Sequence, residues 1–189
     1  TDHPRIDHWI GRHDAVWGPN YVVPPTRAGA LVTVHDLTTV HYPELADGFE
    51  FVRKQLGQLN PEFFSVTFGA GGSTRDRTLE TVIEIQREGH EAAPHLSCIG
   101  STRESIREIL NEYKSANIKR TVALRGDLPS GMAETGEFRY ANELVEFIRA
   151  ETGDWFSIEV AAYPEWHPQS RSPKDDLDAF ARKVKAGAN

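Results

Sequence analysis

Residues 63–78 read Phe-Phe-Ser-Val-Thr-Phe-Gly-Ala-Gly-Gly-Ser-Thr-Arg-Asp-Arg-Thr, and the change of character inside this stretch decides the fold class. Phe63–Phe68 is a β-rich run, and Gly69–Gly72 breaks it. Ser73 and Thr74 are N-cap residue types, and Leu79, Val82 and Ile83 then recur at helical steps. A strand that runs through a glycine turn into a helix is one β/α unit. Working outward, the same unit recurs. Leu31–Leu37 precedes Phe49, Val52, Leu56 and Leu59, and Ala93–Ile99 precedes a stripe of Ile106, Ile109, Leu110 and Tyr113. Thr121–Leu124 precedes Leu144, Phe147 and Ile148, and Phe156–Tyr163 precedes Leu177, Phe180 and Val184. Ser101 or Thr102 ahead of Glu104 and Ser105, and Ser172 with Pro173, mark helix starts. Strict alternation predicts parallel strands joined by right-handed crossovers. No Gly-x-Gly-x-x-Gly follows the first strand, which speaks against a doubly wound dinucleotide fold. The expected class is α/β, a parallel (β/α) TIM-type barrel.

Residues 1–28 stand apart. They hold Trp9, Trp17, four prolines and three histidines, without a sustained period, and are read as an irregular N-terminal segment before a domain over 29–189. His3, His8 and His13 recur every five residues, a step of about 140° on a helix, so they share no face and no metal site is expected. Eight β/α units take about 200 residues or more. Five are counted here, so the barrel is expected to be truncated after about five units, with open sheet edges.

The bulk numbers narrow the function class. A net charge of −7 argues against nonspecific attraction to nucleic acid or an anionic membrane. No apolar run approaches the roughly 20 residues that span a bilayer. Cys98 is the sole cysteine, so no intrachain disulfide forms, and a reducing, cytoplasmic setting is the expectation.

Chemistry gathers at the C-terminal ends of the strands, where barrels keep their active sites. The second strand delivers Thr67 and runs into the Gly69–Thr74 loop; the third carries His95; the fourth ends Arg125-Gly126-Asp127; the fifth ends Tyr163-Pro164-Glu165-Trp166-His167. Each has a plainer reading. The glycine loop is a simple turn or a cradle that lets backbone approach an anion. Arg125 and Asp127 are a salt bridge or a ligand pair, His95 is a satisfied core histidine or a contact, and His167 is a loop residue or a contact. Four consecutive strands bringing such groups to one rim favour a ligand site.

Phe63–Thr78, Ala92–Cys98 (AAPHLSC), Val122–Pro129 (VALRGDLP), Val160–Pro168 (VAAYPEWHP) and Arg182–Asn189 together resemble flavin-dependent methylenetetrahydrofolate reductase, over roughly residues 45–189. The resemblance implies a β/α barrel that holds FAD and reduces 5,10-methylenetetrahydrofolate to 5-methyltetrahydrofolate with NADH or NADPH. It implies flavin contacts from Phe68, Ala70, His95, Arg125, Gly126, Asp127, Ala141, Tyr163, His167, Asp176, Arg182 and Lys183. Thr67 is placed facing the nicotinamide or folate side of the flavin. Asp127 is placed near flavin and pterin, as a catalytic position, and Ala179 stands where the family carries Asn. Homo-oligomers, often tetramers, are also implied.

Two departures qualify the resemblance. The family's first strand carries Phe-Glu-Phe-Phe-Pro-Pro, whose Glu is the acid that helps open the folate's five-membered ring. Counting back from Asn60-Pro61 at the family spacing lands on Asp36, one methylene shorter, as the catalytic stand-in. A second alignment puts Tyr21-Val22-Val23-Pro24-Pro25-Thr26 on the motif and leaves no acid. The other departure is the sixth strand, which in the family bears a Gln contacting folate and nicotinamide. The reductase is the first reading. A noncatalytic flavin- or folate-binding remnant is the alternative.

Overall fold

A computed structural model describes residues 15–18, 29–34, 53–67, 75–127, 136–163, 167 and 169–189. Six strands are described, and each from the second onward is followed by helical residues. The strands are β1 (Ala15–Gly18), β2 (Gly29–Val34), β3 (Phe63–Val66), β4 (Ala92–Ser97), β5 (Arg120–Leu124) and β6 (Ser157–Val160). The helices are α1 (Arg75–Arg87), α2 (Arg103–Ser115), α3 (Ala141–Thr152) and α4 (Pro173–Lys185), and residues 53–57 are helical as well. Every pairing is parallel, and each strand pairs with its neighbours in sequence. A doubly wound sheet reverses strand order at a switch point. None of these pairings does so, and this is the sequential winding expected of β/α repeats.

The chain divides into two compact units. One comprises the described residues up to Thr67 together with Arg75–Pro94. In it β1 pairs with β2, β2 with β3, and β3 with the first half of β4, in the register Phe64↔Ala92 to Val66↔Pro94. All four residues of β3 are buried, as in a parallel strand covered on both faces. Thr78, Val82 and Ile85 form the buried face of α1, and the Thr78 hydroxyl donates to the Thr67 carbonyl at 3.0 Å. Arg53 is buried and held by Glu84 at 3.0 Å and Glu88 at 2.7 Å.

The second unit comprises the described residues from His95 onward. There His95–Ser97 of β4 pairs with Val122–Leu124 of β5, and β5 pairs with β6 from Arg120↔Ser157 to Ala123↔Val160. The stripe Ile106, Ile109, Leu110 and Tyr113 is the buried face of α2, and Leu144, Val145, Phe147 and Ile148 are that of α3. Thr102 caps α2: its hydroxyl oxygen accepts from the Ser105 N–H at 3.1 Å, and the Ser105 hydroxyl answers at the Thr102 N–H. Ser172 caps α4 in the same way at the Asp175 N–H, with Pro173 in the first turn.

One expectation is corrected. Ala15–Gly18 lies inside the segment read as irregular and is a strand, so the described residues hold six strands where five were counted. Four residues are too few to show a period-2 pattern, and tertiary pairing with β2 makes the strand. The compact division falls within β4 and around α1. No residue of α4 is buried, and Leu177 is 64% and Val184 44% exposed.

Candidate functional site

The second unit contains a cleft of about 260 Å³, walled by the ends of β5 and β6, the start of α3 and one face of α4. Seven of the residues singled out in the sequence line it: Arg125, Ala141, Tyr163, His167, Asp176, Arg182 and Lys183. Ala179 lines it as well.

Local structure explains how each arrives. Beyond the end of β5 the ladder with the β4 side continues, with the Ile99 N–H donating to the Arg125 carbonyl at 2.8 Å and the Ser97 hydroxyl to the same oxygen at 3.1 Å. The backbone of Arg125 is thereby fixed, while its side chain reaches the Gly126 carbonyl at 3.2 Å and Oε1 of Gln169 at 3.2 Å. The anticipated alternative, an ion pair from Arg125 to Asp127, is not formed among the described residues, and Asp127 is exposed. Gly126 has φ +82°, and a Cβ there would overlap the Ser97 hydroxyl, so the turn after β5 admits only glycine without adjustment.

Past β6 the chain lays Ala161, Ala162 and Tyr163 along the cleft. The Tyr163 and His167 rings meet edge to face, with centroids 4.6 Å apart at 76°. Nδ1 of His167 accepts from the Gln169 N–H at 3.1 Å. That bond leaves Nε2 as the nitrogen that carries the proton in the neutral ring.

From α4, Asp176 in the first turn and Arg182 and Lys183 in the last face the same space. Lys183 is half-buried and donates to the Ala161 carbonyl at 2.5 Å. Burial holds its ammonium below the usual lysine range, partly offset by the Asp176 carboxylate. Three cationic side chains, one carboxylate, the rings of Tyr140, Tyr163 and Phe180 and the His167 imidazole around a cleft can bind an anion attached to a polar, ring-bearing group.

Other anticipated residues fall elsewhere. His95 is half-buried in β4 and does not line the cleft; nor do Gly126 and Asp127. Thr67 belongs to the other unit. Asp36, Phe68 and Ala70 lie outside the described residues, as do the Gly69–Thr74 loop and its caps. Gln169 and Phe180 were missed as cleft residues. Gln169 follows the quoted Val160–Pro168 motif by one position, and Phe180 stands in the sequence only as a member of a helical stripe. Cys98 is buried against the carbonyls of Arg125 and Tyr140, and burial pushes its thiol up to about 12, which leaves a packing residue rather than a nucleophile.

Comparison with known proteins gives this arrangement its context. Among solved structures, the aldolase QR15 superposes with a TM-score of 0.54 at 12% identity, over 86% of this chain and 66% of that one, a likeness of fold alone. The 5,10-methylenetetrahydrofolate reductases of Salmonella typhimurium and Pectobacterium carotovorum are 48% and 47% identical over 136 residues, 71% of this chain and 45% and 44% of theirs. A methylenetetrahydrofolate reductase (NADH) of Arabidopsis thaliana is 37% identical over 164 residues, 78% of this chain and 28% of that protein. The chain therefore spans less than half the length of these relatives. The family profile described as methylenetetrahydrofolate reductase matches residues 45–189, and with these relatives it shows that the chain belongs to the methylenetetrahydrofolate reductase family.

Proposed function

We propose that this chain contributes the flavin-binding part of a (β/α) barrel that reduces 5,10-methylenetetrahydrofolate to 5-methyltetrahydrofolate with NAD(P)H. The observation that carries the reading is the convergence of Arg125, Ala141, Tyr163, His167, Asp176, Arg182 and Lys183 on one cleft from four separate elements.

The donor set fits FAD. Arg125, Arg182 and Lys183 supply the positive charge that a diphosphate needs, and the two arginines can meet its oxygens two at a time. Asp176 can accept from a sugar hydroxyl. At about 260 Å³ the cleft is small for a whole dinucleotide and suits a portion of one. When bound, the flavin supplies the hydride chemistry, while the protein binds and orients it. In the reading, Asp127 and Thr67 lie toward the substrate side, and Asp36 takes the part of the family's acid. The reaction belongs to the cytoplasm, and a homo-oligomer is the assembly the family suggests. A chain that binds flavin or folate without turnover is the second reading, favoured by the absence of the Phe-Glu-Phe-Phe-Pro-Pro motif from the sequence; if Asp36 is the stand-in, one missing methylene can cost about 10²-fold in rate.

The test is the visible spectrum of the purified, desalted chain before and after FAD is added, followed by NADH-dependent turnover. A flavin band retained or regained, with turnover, supports the reductase. A band without turnover selects the second reading, and absence of binding at millimolar FAD removes both.

A further inference from the structure

Arg149, near the C-terminal end of α3, does not line the cleft, yet all three of its guanidinium nitrogens are committed. Nε donates to the Gly187 carbonyl at 2.8 Å, Nη1 to the Phe156 carbonyl at 2.7 Å and the Gly153 carbonyl at 3.2 Å, and Nη2 to Oδ1 of Asn189 at 2.9 Å. Asn189 is itself tied to β6: its N–H donates to the Ile158 carbonyl at 3.0 Å, and its Oδ1 accepts from the Ile158 N–H at 2.8 Å. Gly187 has φ +112°, and a Cβ there would stand 2.8 Å from Cγ of Arg149, so both backbone and packing ask for glycine. One side chain thus joins the end of α3, the entry to β6 and the residues that leave α4.

These are the elements that wall the cleft. Ala141 and Asn142 begin α3, Ala161 to Tyr163 continue from β6, and Asp176, Arg182 and Lys183 ride on α4. Apolar burial does little to seat α4, because none of its residues is buried. A planar fork satisfying four acceptors can supply the directional constraint that packing does not. The arrangement also satisfies backbone acceptors at the turn, since the carbonyls of Gly153, Phe156 and Gly187 all find a donor in it.

We propose that Arg149 is a positioning residue for the cleft: by holding the exit of α4 against β6, it sets where Arg182 and Lys183 stand relative to Ala161 and Tyr163. The proposal deepens the flavin reading and rests on it only for the identity of the ligand. Arg149 touches no ligand. It acts through the Lys183 contact with the Ala161 carbonyl, which exists only while α4 and β6 keep their spacing.

The experiment compares the full chain with its Arg149→Gln variant in three measurements. Far-UV circular dichroism reports the fold, NMR of ¹³C-methylated lysines reports the Lys183 titration, and calorimetry with FAD and with ADP reports the cleft. A folded variant in which the Lys183 titration moves up toward the ordinary lysine value, and in which both ligands bind on the order of tenfold more weakly, bears the proposal out. An unchanged Lys183 titration in a folded variant overturns it. If Arg149→Gln does not fold, Asn189→Ala, which removes one acceptor and leaves the arginine, is judged by the same two outcomes. Failure of the unmodified chain to bind either ligand counts against the flavin reading alone, and the Lys183 titration then decides on Arg149.

Discussion

Helices α2 and α4 are alike in length, cap and end charges and opposite in use. Both are thirteen residues long, both start behind a hydroxyl whose oxygen accepts the N–H three residues on, and both carry acid in the first turn and base in the last. Both show apolar residues at helical spacing. Yet α2 buries Ile106, Ile109, Leu110 and Tyr113, whereas α4 buries nothing and turns Phe180, Arg182 and Lys183 to a cleft. The pattern common to both predicts a helix and the face it offers. What covers that face is decided by tertiary structure. Here the helix with less packing carries more of the binding chemistry, in keeping with the general opposition between stability and function at sites.

The contrast breaks most visibly at paired leucines. Leu110 is 1% exposed in α2 and Leu177 is 64% exposed in α4. Leu110→Ala should cost about 2–5 kcal/mol through lost transfer energy and the cavity left behind. Leu177→Ala should change stability by no more than about 0.5 kcal/mol. Urea denaturation of the two variants measures both. Comparable losses would mean that α4 is packed in solution, and the distinction between the helices would collapse.

A smaller effect is expected at the turn that presents Arg125. Gly126→Ala meets both a left-handed backbone and the Ser97 hydroxyl, and should cost about 1–3 kcal/mol. Gly100 also has a positive φ, +72°, but a Cβ there meets nothing within 4 Å, so Gly100→Ala should cost only about 1 kcal/mol. Adding Ser97→Gly to Gly126→Ala should recover the difference, because it removes the overlap and leaves the backbone penalty. Thermal melts of the four chains test this; equal costs at both glycines would show that Ser97 yields freely.

What could be read from the sequence follows from which interactions are local. The α2 cap, the glycine after β5 and the apolar stripes announce themselves within a few residues, and the parallel β/α order follows from their alternation. β1 was missed because four residues hold too little pattern and its strand character comes from pairing with β2. The site was legible in part through motif resemblance: Arg125, Tyr163, His167, Asp176, Arg182 and Lys183 meet at the cleft. Phe180 escaped because its spacing marks a face without saying what lies opposite. Gln169 escaped because its role, an acceptor for Arg125, depends on a contact 44 residues away in sequence. The four acceptors of Arg149 are all backbone carbonyls or an amide oxygen, which no residue pattern encodes.

The subtlest difference between α2 and α4 is electrostatic. Lys114, in the last turn of α2, lies 5.3 Å from the centroid of the Trp155 ring, whereas Lys183 in α4 is half-buried, and that burial holds its pKa below the ordinary lysine value. In the unfolded chain Lys183 regains the ordinary value, so between the lowered and the ordinary pKa the unfolded state binds more protons than the folded one. Stability therefore rises with pH across that alkaline window and is lost again as pH falls through the folded value. Lys183→Met should flatten this rise. In the proposed reading the same charge is the one offered to a diphosphate, so ADP affinity should decline as pH climbs through the window in the unmodified chain and stay level in Lys183→Met. Denaturation and ADP titration, each followed from neutral to alkaline pH, measure the two slopes. A Lys183→Met chain that keeps the full rise would place the titrating group elsewhere and take Lys183 out of the account of the cleft.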